Sequence, residues 1–241
     1  MKRFLLFAAC ILFGLASWSQ ASENRFQQFN ADVDTAYAAY RKALFQTNKN
    51  DAEKSGKATE SFQNQWEKII EVYESHPPEV FSSDPKWNET LTGIEIITEK
   101  SSVLIKEGQL AEAHEHLEAI RDSLSNLRKR NSVIAFSDHI NNYHQVMEGL
   151  LEGGYTPEKI NESAMNEIRG QLSVLKYLAV AIKENSPARY NDNEKFQQLQ
   201  KGLFTSLDAL DKAVDTQNPE AISKSIKMLK PAYAKLFVNF G

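Results

Sequence analysis

The sequence predicts an all-α chain built as two tandem antiparallel four-helix bundles. Three observations carry this. Apolar residues recur at alternating spacings of three and four along almost all of the chain beyond residue 25, the mark of helices that each bury one stripe. No segment alternates with period two between turn signals, so no strand is expected. Helix-ending glycines and proline-led starts separate the stripes by short connections, which make neighbouring helices antiparallel.

The first segment is a leader. "MKRFLLFAACILFGLASWSQASEN" starts with Lys2 and Arg3, continues as an apolar run from Phe4 to Trp18, and offers Ser19 and Ala21 as the small residues before a cut at Ser22. The run is about 15 residues, shorter than the roughly 20 that span a bilayer. Residues 1–21 are therefore expected to be a cleaved signal peptide. A lipoprotein reading would need Cys10 as the acylated residue, but the apolar run continues behind it through Leu15. The chain is expected to be periplasmic, with no integral membrane segment.

Stripes then follow in order. Phe26, Phe29, Val33, Ala36, Tyr40 and Ala43 define the first helix; Phe62, Trp66, Ile69, Ile70 and Tyr73 the second; Trp87, Leu91, Ile94, Ile97 and Leu104 the third. Leu110, Ala113, Leu117, Ile120, Leu124 and Leu127 form an unbroken fourth. The second half repeats the plan with Val133 to Leu150, Ile160 to Ile182, Phe196 to Leu210, and Ala221 to Leu236. Tyr233, Leu236, Phe237 and Phe240 in the closing "YAKLFVNFG" are expected to dock the last helix. Asp84-Pro85, Thr156-Pro157 and Asn218-Pro219 read as N-cap and first-turn pairs, and Gly108 and Gly153-Gly154 as helix ends. "TNKNDAEKSGK", residues 47–57, reads as a mobile loop.

The halves align weakly with each other. "KWNETLTGIEII" (86–97) lines up with "KFQQLQKGLFTS" (195–206), and "FNADVDTAYAAY" (29–40) with "FSDHINNYHQVM" (136–147). The expected division is 22–131 for one bundle and 132–241 for the other. "RKRNSV" at the join holds neither Gly nor Pro, so one expectation is a long rod that carries the fourth helix into the fifth.

Residues 62–130, from "FQNQWEKIIEVYESHPPEVF" through "KEGQLAEAHEHLEAIRDSLSNLRKR", resemble the small periplasmic four-helix b-type cytochromes. The shared features are a Pro-Pro turn after the second helix and a Gly before the fourth. That resemblance implies haem held between a Met on the first helix and a His near the end of the fourth. This chain departs at both places: no Met lies between Ala21 and Val146, and the fourth-helix position falls near Arg128. In the second half Met147 lies on a first helix, but the matching last helix offers Tyr233 and Phe237. Haem is not expected.

Composition narrows the chemistry further. Cys10 is the sole cysteine, so beyond the leader disulfides, thiolate metal sites and a cysteine nucleophile are excluded. Without Lys2 and Arg3 the balance is 26 basic to 32 acidic residues, or −6, which argues against nucleic acid and anionic lipid partners. No phosphate loop, nucleophile elbow or Ser/His/Asp spacing occurs, so an enzyme is not expected.

Two motifs remain, His114-x-x-x-Glu118 and His144-x-x-x-Glu148. At i and i+4 the side chains share a helix face and can offer two ligands to Cu, Zn or Fe. Each His sits at the edge of its stripe, and Asn141 precedes His144 by three on the same face. The bland reading is a solvated contact worth a few tenths of a kcal/mol, with Arg121 pairing Glu118. On a continuous rod the pairs would stand about 45 Å apart. The function expected is a non-catalytic accessory or interaction module of the cell envelope, with a protein partner or self-association. The alternative is a metal-binding or metal-delivery protein.

Overall fold

The computed structural model describes residues 4–241, with side chains from residue 23 onwards; the expected leader, residues 1–21, and its Cys10 lie outside the described side chains. Among the described residues every regular element is helical. The chain divides into two compact units, Met1–Val133 and Ile134–Gly241.

The first unit holds α1 (Phe4–Asn48), α2 (Ala52–Tyr73), α3 (Trp87–Lys106) and α4 (Leu110–Arg130). Each packs against its chain neighbours, and α4 closes back on α1. This is the neighbour pattern of an up-down four-helix bundle. Leu110, Ala113, Leu117, Ile120, Leu124 and Leu127 are all buried. On α3 the buried seam runs Leu91, Ile94, Thr98, Ser101, Leu104. It keeps the three-four spacing by taking two hydroxyls instead of Ile97. Those hydroxyls are tolerated because Thr98 donates to the Ile94 carbonyl and Ser101 to that of Ile97.

Aromatic rings plug one end of this unit. A 3₁₀ turn, Glu79–Phe81, follows the Pro-Pro pair and drives Phe81 inward. Phe81 stacks on Trp87 at 5.2 Å, and Phe29 meets both rings and Tyr73. Arg25 lies over the Tyr73 ring and donates to the Val72 and His76 carbonyls at the end of α2, satisfying acceptors that a helix end leaves open. Burial and the nearby Asp32 carboxylate push the Tyr73 hydroxyl up to about 12.

The second unit repeats the ring with α5 (Phe136–Glu152), α6 (Glu162–Glu184), the short α7 (Ala188–Asn191), α8 (Glu194–Asp215) and α9 (Pro219–Phe240). Its neighbours are α5–α6, α6–α8, α8–α9 and α5–α9. Tyr233, Leu236, Phe237 and Phe240 are buried. Its plug is Phe136, Tyr190, Phe196 and Phe240. Phe136 and Phe196 stand where the aligned halves put Phe29 and Trp87, and Tyr190 on α7 takes the place of Phe81.

Three expectations need correcting. Residues 47–57 are no loop: only 49–51 link α1 to α2. Asp51 caps α2 by accepting from the Lys54 N–H at 3.0 Å, and Asn50 supplies the positive φ that turns the chain. Of the three proline pairs, only Asn218-Pro219 starts an α-helix. Thr156-Pro157 begins a 3₁₀ turn and Asn161 caps α6. Asp84 lies in the turn before α3, where its carboxylate is shielded from solvent and accepts from Lys86 N–H, Arg130 and Asn131.

The long rod is also absent. α4 stops at Arg130 because Ser132 adopts φ 56°. The Val133 N–H then reaches back to the Arg128 carbonyl at 2.9 Å, and the Ser132 N–H to that of Lys129 at 3.3 Å. This is the closing pattern usually built on glycine, and the Gly108 and Gln109 N–H groups make the same pair of bonds after α3, to the Ile105 and Leu104 carbonyls. A left-handed backbone costs a non-glycine residue roughly 1–2 kcal/mol. Ser132→Gly should therefore raise the stability of the first unit by about 1 kcal/mol, read as a higher urea midpoint at unchanged slope. Gly108→Ala should lower it by a similar amount.

Candidate functional site

Both His–Glu pairs lie on the seam where the last helix of a unit closes on the first. They approach it from opposite sides, His114 from α4 and His144 from α5. Their surroundings differ.

His144 is buried, at 7% exposure. Its ring lies 4.9 Å from that of Tyr233 on α9, and Tyr233 stacks in turn on Tyr143 and Phe237. His144 Nε2 stands 3.3 Å from Glu148 Oε1, and Lys230 Nζ of α9 stands 3.1 Å from the same oxygen. The hydrogen bond from His144 and the Lys230 ammonium outweigh burial and hold the Glu148 carboxyl down at about 2. Glu148 is therefore a filled junction that staples α5 to α9. Asn141 is buried on the same ridge, and neither of its amide atoms bonds to a protein group. Asp138 does not join: it reaches back to the Ala135 N–H at 2.9 Å and caps α5. His139 is pushed below its ordinary value by burial.

His114 is held differently. Its Nδ1 lies 2.8 Å from the Thr47 hydroxyl of α1. Nε2 faces Glu118 Oε1 at 3.7 Å, and Arg121 Nη2 stands 3.5 Å from that oxygen. Both contacts to Glu118 exceed ordinary hydrogen-bond length. Its carboxylate is a third exposed and loosely engaged.

Among the described residues no three His, Cys, Asp or Glu side chains gather as a metal cluster. Lys230, Tyr233 and Thr47 are the partners that sequence reasoning missed. Each comes from a helix far along the chain, and no local spacing signals it. The sequence also passed over a groove of about 460 Å³ between α1 and α2, floored by Ala38, Ala39 and Ala58 and rimmed by Lys42, Lys54 and Lys57. Lys54 pairs with Asp51 and Lys57 with Glu53.

No protein-family model matches the chain, and neither does any curated protein or solved structure. Among the described residues no helix is long and apolar enough to cross a membrane.

The Glu148 junction sets a pH dependence. Its folded value of about 2 lies below the ordinary 4.5, so its contribution is complete above that ordinary value and is lost as pH falls towards 2. The shift corresponds to about 3 kcal/mol. Glu148→Gln should destabilise the second unit by a comparable amount at neutral pH and flatten its stability between pH 4.5 and 2. Denaturant titrations across that range check both effects.

Proposed function

We propose that the chain is an exported, non-catalytic binding module of the cell envelope that engages a protein partner through the outer face of α6. The observation that carries this is Tyr177, exposed at 72%, with Val174 at 45% one turn before it and Val180 at 40% one turn after. α6 already buries Ile168, Leu172, Leu175, Ala179 and Ile182 on its inner side. The exposed residues are therefore additional to what the core requires. A tyrosine flanked by β-branched residues provides a large, stiff contact area at small entropic cost, as interface anchors do. α3 bears a thinner version, Ile96 and Val103, two turns apart with Glu99 and Lys100 between them.

The leader supports the envelope setting. Lys2 and Arg3, the apolar run and Ala21 have the order an export signal needs. Mass spectrometry of the chain recovered from its own envelope fraction should find Ser22 as the first residue. A chain still carrying Met1 would overturn the export reading.

The contact itself is testable in cells. A photocrosslinking amino acid at position 177 should yield one discrete adduct, and Val174→Lys in the same chain should abolish it. The same amino acid at exposed Lys201 on α8 should yield none. An adduct of twice the chain mass would make the partner a second copy. Equal adducts from both positions, or none from 177, would remove α6 as the contact.

A further inference from the structure

We infer that the partner of the α6 face is a second copy of this chain, its α6 running antiparallel to the first about a two-fold axis near Tyr177; this rests on α6 being the contact face. Ser173, Val174, Val180 and Ala181 all lie within about 60° of Tyr177 around the helix, and none is charged. The Ser173 hydroxyl donates to the Arg169 carbonyl at 2.9 Å, so covering it strands no donor. Lys176, the one charge between Arg169 and Lys183, is turned aside to Asp211 of α8 at 2.6 Å. The outward seam is thus neutral for about three turns.

Its two ends carry opposite charges on one flank. Arg169 stands eight residues before Tyr177 and Glu184 seven after it, both displaced to the same side of the seam. A two-fold axis lying across the seam preserves the sides and reverses the direction. It therefore sets Arg169 of each copy opposite Glu184 of the other, with Ser173 opposite Val180 and Val174 opposite Ala181. Parallel pairing would oppose Arg169 to Arg169 and Glu184 to Glu184, so charge selects the antiparallel copy. Both groups are accessible. Glu184 is exposed and has no ion pair among the described residues, and Arg169 makes one long contact, 3.3 Å, to Asn166 of its own helix. Around Gly170 an added side-chain carbon would meet nothing within 4 Å, which leaves room for the Glu184 stem. Such self-complementarity is what an isologous dimer needs. A stable interface buries about 800 Å² on each partner, more than one helix face offers, so the pair is weak and forms at high concentration.

Sedimentation equilibrium of the chain purified after export, over a wide concentration range, tests the pair. The parent should show a monomer–dimer equilibrium. Arg169→Glu and Glu184→Arg should each weaken it about tenfold, since each places like charges at both contacts. The double variant should recover the parent's association, and so should an equal mixture of the two single variants, with helical circular dichroism unchanged throughout. The second copy is overturned if the parent stays monomeric at every concentration, if either single variant associates as the parent does, or if the double variant stays as weak as the singles. In any of these cases a discrete adduct from position 177 with a different protein would keep α6 as a contact face. The absence of any adduct from 177 would remove the face and the second copy together.

Discussion

Each helix carries one apolar stripe, and a stripe can be buried only if its helix has a neighbour on both sides. That constraint organises both units. Three of the four seams in each ring join helices that are neighbours along the chain, and short connections bring them together. The fourth, between the last helix and the first, has no such help. Side chains must specify it, and polar groups collect there: Thr47 with His114 in one unit, and His144 with Tyr233 and Glu148 with Lys230 in the other. Buried polar pairs add less stability than apolar packing, but they fix register by leaving misaligned partners unsatisfied.

The stripes were legible because helical periodicity is local. Where the core departed from the stripe it did so through residues that look polar in sequence. Thr98 and Ser101 satisfy their own hydroxyls against the preceding turn, and Gln200 takes the buried place expected of Leu199. The supposed loop at 47–57 misled for a related reason. Its charged composition belongs to an exposed first turn, with Lys57 paired to Glu53, and not to missing structure. The His–Glu pairs were visible because i and i+4 share a face whatever the fold. Their cross-helix partners were not: Thr47 lies 67 residues from His114, and only ring closure brings it near.

The likeness between the two units reaches the aromatic plugs but not the His–Glu pairs. Phe29, Phe81 and Trp87 have counterparts in Phe136, Tyr190 and Phe196, each on the matching element. His114, however, stands on the last helix of its unit and His144 on the first of its own. The recurrence of one motif is therefore not an inherited duplicate. The two pairs answer the same seam from opposite sides, one flanked by Arg121 on its own helix and one joined to a lysine of the facing helix.

The left-handed turn at Ser132 has a consequence for how the chain melts. The Arg128 and Lys129 carbonyls are satisfied by the residues just after α4, and α5 opens with its own cap from Asp138. No helical hydrogen-bond ladder is shared across the join, so neither unit transmits fraying to the other through a common backbone. Helix–coil cooperativity stops at that residue.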